Sequence, residues 1–167
     1  MKISLLKLNE GLNRLNFQFK PVDLGLSEKE ETLRLFPNEI NADIEVQKFS
    51  DKFFIKVNLF TIAHCTCDRC LDEFEQNLEN TFQLVYSRQV RYQFENEEYR
   101  SLSEDMTEID LSNDIRENLL LMIPMKQLCQ DDCLGLCSLC GTNLNIKACN
   151  CEQYLIDPRW ETLKNLQ

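Results

Sequence analysis

Nine cysteines, spaced mostly in short pairs, constrain this chain of 167 residues more than any other feature of its sequence. They are Cys65, Cys67, Cys70, Cys129, Cys133, Cys137, Cys140, Cys149 and Cys151. Two of the pairs, Cys67-Asp-Arg-Cys70 and Cys137-Ser-Leu-Cys140, have the spacing of a zinc knuckle, in which one tight turn presents two thiolates to one metal ion. Gly141, which follows the second pair, suits a turn that needs a residue with positive φ. The spacing therefore predicts metal binding.

Disulfide bonds are the competing interpretation of this cysteine content. Secreted disulfide-rich domains are usually shorter and carry a signal peptide. Here the apolar run at the N-terminus is interrupted by Lys7 and Asn9, so it does not have the form of a signal sequence. No stretch approaches the length of a membrane span. We therefore expect a cytoplasmic protein with reduced thiols and no membrane partner.

Eight of the nine cysteines form four pairs, and a structural zinc ion takes four thiolates. The most local arrangement is a first site made by Cys137, Cys140, Cys149 and Cys151. The two remaining pairs predict a possible second site made by Cys67, Cys70, Cys129 and Cys133. The sequence also allows the 129/133 pair to replace the 149/151 pair in the first site, and allows the tight 149/151 pair to supply a single ligand. One or two Zn²⁺ ions are expected, with Cys65 left as an ordinary strand thiol.

Catalysis is a weaker interpretation of the same residues. Thiol–disulfide enzymes place a reactive pair at a helix N-terminus, where the thiol pKa is lowered. Here the 67/70 pair lies between two predicted strands, and nearby acidic residues such as Asp68 and Glu73 should raise that pKa. His64, the one histidine in the sequence, is expected to be structural or a spare zinc ligand. The sequence therefore predicts no enzyme and no small-molecule substrate.

Alternation of apolar and polar residues predicts strands over most of the first two-thirds of the chain. The clearest runs are 40–46, 55–63 and 74–86, and shorter runs at 3–8 and 15–19 predict an N-terminal hairpin. The run at 55–63 is apolar on both faces in places, so we expect it to be a central strand.

The pattern changes to a helical period near 111–123, where Ile115 and Leu119 share one face. Ser112 is the expected N-cap, and Pro124 should end the helix. The predicted fold class is α+β: a β-rich antiparallel sheet or partly open barrel, one main helix, and a C-terminal zinc-binding cysteine lobe. We expect a body at 1–124 and the lobe with its tail at 125–167, integrated in one domain.

The charge distribution bears on possible partners. A formal charge of −10 disfavours a simple RNA-coating protein, because phosphate binding depends on lysine and arginine. Residues 95–110 contain seven acidic residues and one basic residue, which predicts an acidic loop. This loop is either an ordinary solvated surface or a surface for a basic partner, such as a ribosomal protein.

Several further motifs of the sequence are informative through their order and spacing. They are Cys67-x-Arg69-Cys70-Leu71, the helix end Leu119-Leu120-Leu121-Met122-Ile123-Pro124, the cysteine run from Leu128 to Asn145, Cys149-x-Cys151, and the tail Asp157-Pro158-Arg159-Trp160. Together these motifs resemble the YceD-type family of large-subunit ribosomal RNA accumulation proteins. The resemblance covers residues 67–71 and roughly 119–163, whereas the N-terminal part matches only in its β-rich character.

The resemblance implies a non-enzymatic ribosome biogenesis factor that supports accumulation or processing of large-subunit ribosomal RNA. It implies binding to precursor RNA or to immature large subunits. The candidate RNA contacts are Arg69, which matches the arginine of the family motif, and the N-terminal Lys2, Lys7 and Arg14. The alternative role for Arg69 is an ion pair with an adjacent carboxylate. The alternative function is a zinc-stabilised protein–protein adaptor whose acidic loop binds a basic ribosomal protein without contacting RNA.

Overall fold

A computed structural model describes residues 1–26, 35–88 and 99–151, which form an α+β fold as the sequence predicts. These residues contain strands β1 to β7 and the main helix α1. The bounds are β1 Lys2–Ser4, β2 Gly11–Phe19, β3 Ile40–Phe49, β4 Lys52–Thr66, β5 Glu73–Ser87, β6 Tyr99–Ser101, β7 Glu108–Asp110 and α1 Ser112–Leu121. Short 3-10 helical turns lie at Leu5–Lys7 and Pro21–Leu24.

The larger sheet has five strands in the order β2-β3-β4-β5-β6. The strand pairs β2–β3 and β3–β4 are antiparallel, with Ala42 opposite both Phe17 and Leu59. The last strand, β6, runs parallel to β5. Because β4 lies in the middle of this order, the prediction of a central strand at 55–63 is confirmed.

The hydrophobic core follows from alternation along these strands. In β4, every second residue from Phe53 to Cys65 is buried, and the residues between them are exposed or half-buried. Ile115 and Leu119 of α1 are also fully buried and belong to the same core. A one-residue shift in strand register would move the whole apolar set of β4 to the opposite face. The pattern therefore fixes both the register and the burial of Cys65.

The predicted N-terminal hairpin is wrong. β1 pairs with β7 in a separate two-stranded sheet, where Ile3 lies opposite Ile109. β2 instead pairs with β3, and the 3-10 turn Leu5–Lys7 lies between β1 and β2 along the chain. Local alternation identifies a strand, but the partner of that strand depends on contacts distant in sequence.

The acidic stretch 95–110 is not a loop throughout. Its residues 95–98 lie outside the described residues, whereas β6 and β7 occupy two parts of the remainder. Leu102 and Ile109 are buried, so the stretch contributes to the core. Each strand is three residues long and pairs with a distant strand, so no local periodicity reveals it.

Helix α1 begins differently from the prediction. Ser112 is its first residue rather than its N-cap, and it has Asp110 as its side-chain partner. The Asp110 carboxylate accepts the backbone N–H of Ser112 at 2.9 Å and its hydroxyl at 2.6 Å. These hydrogen bonds from Ser112 lower the pKa of Asp110 to about 2. The side chain that accepts a backbone N–H at the start of α1 is therefore Asp110, two residues before Ser112.

The chain divides into two compact units. Unit 1 consists of residues 1–65 and 74–125, and unit 2 consists of residues 66–73 and 126–167, of which 152–167 lie outside the described residues. The predicted division into a body at 1–124 and a lobe at 125–167, integrated in one domain, stays a prediction. Within the described residues, no helix is long and apolar enough to cross a membrane.

Candidate metal centres

Eight cysteines of unit 2 are gathered in two groups of four thiols. The split cluster takes its thiols from two separate segments and consists of Cys67, Cys70, Cys129 and Cys133. The local cluster takes its thiols from one segment and consists of Cys137, Cys140, Cys149 and Cys151. In each cluster the four sulfur atoms lie within 4.8 Å of one another. Whether these residues are metal ligands stays a prediction, but the structure brings together both sets of four.

Sulfur–sulfur distances in the split cluster suit a metal site. The Sγ atoms of Cys67 and Cys133 are 3.8 Å apart, and those of Cys70 and Cys129 are 3.6 Å apart. A tetrahedron with Zn–S bonds of about 2.3 Å has edges of about 3.8 Å. A disulfide instead needs a sulfur–sulfur distance of about 2.05 Å. The donor set therefore fits a four-coordinate zinc ion, and the nine thiols are free.

The two zinc-knuckle turns have the same backbone hydrogen bonds. In the first, the N–H of Cys67 donates to the carbonyl of Asp72, and the N–H of Leu71 donates to the carbonyl of Cys67, both at 2.9 Å. In the second, Cys137 donates to Thr142 at 2.8 Å, and Gly141 donates to Cys137 at 2.9 Å.

The residue after the second cysteine has positive φ in both turns, 61° at Leu71 and 72° at Gly141. The prediction of a positive φ at Gly141 is confirmed.

Hydrogen bonds join segment 66–73 to the chain around the split cluster. Asp68 and Gln127 are joined twice, by N–H of Asp68 to the Gln127 carbonyl and by N–H of Gln127 to the Asp68 carboxylate, both at 2.8 Å. Arg69 donates through Nη1 to the carbonyl oxygens of Asp131 at 3.3 Å and Cys133 at 2.8 Å. These contacts hold the two halves of the split cluster together without a disulfide.

Polar groups also point at the sulfur atoms. Asn145 Nδ2 donates to Cys133 Sγ at 3.2 Å, and the N–H of Leu139 donates to Cys137 Sγ at 3.5 Å. Cys140 Sγ lies 3.1 Å from the Thr142 hydroxyl. Such donors stabilise thiolates and orient metal ligands.

The thiol pKa values in the split cluster diverge. Burial raises the pKa of Cys67, but backbone N–H groups of Cys129, Cys70 and Arg69 outweigh it and lower that pKa to about 6. A backbone hydrogen bond of Asp72 lowers the pKa of Cys70, yet burial and the adjacent thiols raise it overall. The expectation that acidic neighbours raise the pKa of this pair is wrong for Cys67, whereas the Asp72 side chain does contribute to the raised pKa of Cys70. The Cys67 thiol is fully buried, however, so it does not face solvent as a redox thiol must.

The local cluster shows the same division. Hydrogen bonds of Thr142 lower the pKa of Cys140 to about 6. The hydrogen bond between Cys151 and Cys140, together with burial, raises the pKa of Cys151 to about 12. Four adjacent thiolates repel one another, so protons remain on some of them unless a cation supplies compensating charge. A divalent metal ion would therefore replace those protons in both clusters.

The other sequence candidates lie elsewhere. Cys65 is buried in the core of unit 1, as its strand parity predicts. His64 Nε2 is 3.0 Å from a carboxylate oxygen of Glu75, and within the described residues it joins neither cluster. It is therefore not brought into position as a spare ligand.

The basic residues predicted to contact RNA are all exposed. Lys2 lies 3.7 Å from the Glu108 carboxylate, and Arg14 lies 3.1 Å from the Glu45 carboxylate. The hydrogen bonds of Arg69 go to carbonyl oxygens and not to the neighbouring carboxylates, within the part of the chain that the structure describes. Their role in RNA binding stays a prediction.

An ion pair in unit 1 was not predicted from the sequence. Arg100 donates to both oxygens of Asp114, through Nη1 at 2.8 Å and through Nη2, and it also donates to the Tyr86 hydroxyl at 3.2 Å. The Asp114 side chain is 5% exposed. The sequence indicates Asp114 only as an acidic residue in the first turn of a helix, because its partner lies in β6, which the sequence does not reveal.

Comparisons with known proteins give one family. A family model described as "Large ribosomal RNA subunit accumulation protein YceD" matches residues 55–167. The chain is 36% identical over 63 residues to "Large ribosomal RNA subunit accumulation protein YCED homolog 1, chloroplastic" of Arabidopsis thaliana, which covers 38% of this chain and 20% of that protein. No solved structure matches the chain.

Two further relatives extend the comparison. The chain is 44% identical over 46 residues to the protein of the same name in Zea mays, covering 27% of this chain and 16% of the maize protein. It is 26% identical over 129 residues to an uncharacterized protein of Mycobacterium leprae, covering 76% of this chain and 58% of that protein. The chain thus spans less than two-thirds of each of these relatives.

Proposed function

Because the chain belongs to the YceD family of large ribosomal RNA subunit accumulation proteins, we propose that it is a non-enzymatic ribosome biogenesis factor. It binds immature large subunits and supports the accumulation of their RNA. The observation that carries this proposal is the family match over residues 55–167, a range that includes both cysteine clusters. The segments that contain the clusters therefore lie within the range that the family model matches.

The metal part of the proposal is one Zn²⁺ in each cluster. Cys67, Cys70, Cys129 and Cys133 would hold one ion, and Cys137, Cys140, Cys149 and Cys151 would hold the other. A zinc ion with four thiolates has no open position for water, so its contribution is to fasten the chain segments together. This supports a structural role for the metal and a non-enzymatic role for the protein.

Direct contact with precursor RNA is the finer part of the proposal. Lys2 and Arg14 are in exposed ion pairs with Glu108 and Glu45. Exposed pairs contribute only about 0–1 kcal/mol, so RNA phosphates can compete for these cations. Lys7 and Arg69 are also exposed, although the Arg69 guanidinium already holds two carbonyl groups. These four residues remain the candidates for RNA contact.

The second candidate function is a protein adaptor. The acidic stretch 95–110 supports it, because Glu104 and Asp105 are exposed within its described part. In this version the basic partner is a ribosomal protein, and the chain does not touch RNA. Both versions place the protein in the cytoplasm, where ribosomes assemble and thiols stay reduced.

Depletion and sedimentation test the proposal. We expect depletion of the protein to lower the level of large-subunit RNA, with no early loss of small-subunit RNA. We also expect the tagged protein to sediment with immature large subunits and to dissociate as salt is raised. Normal RNA levels together with its absence from every precursor fraction would contradict the proposal.

Crosslinking on the same particles separates the two versions. Adducts of RNA at Arg69 or near the N-terminus would support direct RNA contact. Adducts of ribosomal proteins at the acidic stretch, without RNA adducts, would support the adaptor.

A further inference from the structure

The two zinc-knuckle turns of unit 2 share their backbone hydrogen bonds but differ in the residue that follows the second cysteine. Gly141 has φ 72° and Leu71 has φ 61° at the same place in the two turns, with the same hydrogen bonds around them. Glycine adopts this left-handed conformation freely, whereas a side chain with a Cβ is strained there. The first turn therefore has a strained leucine at a position where the second turn forms the same hydrogen bonds with glycine.

Packing does not account for this leucine. Leu71 is 63% exposed, so its side chain gives little to the core of unit 2. Strained backbone conformations concentrate at functional sites, where the strained residue has a role besides stability. An exposed apolar side chain on such a backbone has the character of a contact residue.

Two more exposed apolar side chains are tied to the same place by hydrogen bonds. Asn143 Nδ2 donates to the carboxylate of Asp72, the neighbour of Leu71, at 2.7 Å. Asn145 Nδ2 donates to Asn143 Oδ1 at 2.9 Å, and Asn145 Oδ1 accepts the N–H of Leu134 at 2.7 Å. This network positions Leu134, which is 67% exposed, and Ile146, which follows Asn145 and is 81% exposed.

We name Leu71, Leu134 and Ile146 the Leu71 surface. The described residues of unit 2 carry more negative than positive charge. They contain five carboxylates against three basic side chains, and all five carboxylates are exposed: Asp68, Asp72, Glu73, Asp131 and Asp132. Each four-thiolate zinc site would add a further negative charge, because four thiolates outweigh one divalent ion. An apolar surface in a unit of net negative charge favours a basic protein as its occupant.

We propose that the Leu71 surface binds a basic ribosomal protein of the large subunit through apolar side chains that insert beside its lysines and arginines. The inference rests on the proposed function and deepens it, because it names the partner class and the part of unit 2 that holds it. The occupant of this surface is a protein and not RNA. The contact lies at Leu71 of the first knuckle, at Leu134 before the second knuckle and at Ile146 after it.

The test compares zinc-loaded wild-type protein with Leu71→Gly and Leu71→Asn, since glycine and asparagine both tolerate positive φ. The probes are individually purified large-subunit ribosomal proteins and, separately, a transcript of the precursor large-subunit RNA. We expect wild type to bind at least one basic ribosomal protein. We expect either variant to weaken that binding by about tenfold or more, since it removes a buried leucine from the complex.

Two measurements keep a folding defect apart from a contact defect. Leu71→Gly should retain the full metal content and should unfold at the same or a higher temperature, because it relieves the strained φ. Leu139→Ala is the matched control: Leu139 is 62% exposed in the second knuckle but lies outside the network. We expect this control to bind like wild type. Ile146→Ala supplies a second contact variant at a residue with ordinary φ.

The possible outcomes are distinct. The inference would be overturned if Leu71→Gly and Ile146→Ala bound the ribosomal protein as tightly as wild type does. It would also be overturned if these residues contributed only to binding of the RNA transcript. If wild type still sediments with immature large subunits in that case, the proposed function stands without it. If wild type binds neither particles nor any ribosomal protein, both fail.

Discussion

Gly135 packs directly against the backbone of Arg69. A Cβ added to Gly135 would lie 3.0 Å from the Arg69 carbonyl oxygen and 3.2 Å from the Arg69 Cβ. The same carbonyl oxygen accepts the N–H of Leu136 at 3.0 Å, and Gly135 has φ 75°. The close approach and the positive φ both favour glycine. This contact therefore fixes how the first knuckle meets the segment that follows Cys133.

Substituting Gly135 by alanine should loosen unit 2. The new methyl group cannot fit without moving backbone, so we expect a destabilisation of about 2–3 kcal/mol and faster loss of metal from the split cluster. Gly141→Ala is the control, because it has φ 72° but an added Cβ meets no described atom within 4 Å. It should cost about 1 kcal/mol from φ alone. Urea unfolding followed by circular dichroism measures both, and equal losses would contradict the role of the Arg69 contact.

Arg69 should matter for metal retention as well as for any RNA contact. Its Nη1 group donates to the carbonyls of Asp131, which lies between Cys129 and Cys133, and of Cys133 itself. We expect Arg69→Ala to speed zinc transfer from this cluster to a chromogenic chelator, with little effect on the local cluster. Lys147→Ala, which also removes an exposed positive charge, is the control for charge. Unchanged release by Arg69→Ala would restrict the residue to a surface role.

Much of the fold could be predicted because the core strands carry their own signal. The alternation along 55–63 and 74–86 is long, and one face is buried, so period and burial agree. Strands β6 and β7 are three residues each and were not predicted, whereas β1 overlaps the predicted run at 3–8 but pairs with another strand than predicted. Their formation depends on partners distant in the chain, and so does the buried pair of Arg100 and Asp114. A local reading of sequence does not contain that information.

The candidate site shows a similar division. Cysteine spacing predicted the four pairs, and its most local arrangement gives the two sets of four thiols that the structure brings together, but the spacing alone left the partners of the 137/140 pair open. It could not show the hydrogen bonds of Asn145 and Arg69 to this region, because those depend on loop conformations. Nor could it show that Leu71 takes a positive φ, since leucine rarely does so and the sequence gives no turn signal there.

Removal of zinc should expose thiols in a definite order. The local cluster has one exposed and two half-buried cysteines, whereas three of the four cysteines in the split cluster are buried. We therefore expect a chelator to extract the local ion first. Wild type should contain about two equivalents of zinc. Cys140→Ser and Cys67→Ser should each lose one.

Thiol titration before and after chelation provides the internal control. The eight clustered thiols should become reactive, because a zinc ion in each cluster would contribute on the order of 10 kcal/mol to the fold around it. Cys65 should stay protected, since it is buried in the core of unit 1 and does not depend on metal. Metal-free native protein, or early reaction of Cys65, would contradict this arrangement.

The ion pair of Arg100 and Asp114 should be the most costly one to break. Asp114 is 5% exposed and Arg100 is 40% exposed, so removing the carboxylate leaves a partly desolvated guanidinium without its bidentate partner. We expect Asp114→Ala to lower the free energy of unfolding by about 2 kcal/mol, because the half-exposed Arg100 loses charged hydrogen bonds but can be hydrated. The control is Glu45→Ala, whose carboxylate pairs with Arg14 at exposures of 38% and 73%. That exposed pair should contribute about 0–1 kcal/mol. Urea unfolding at neutral pH measures both variants, and similar losses would show that burial does not distinguish the two pairs.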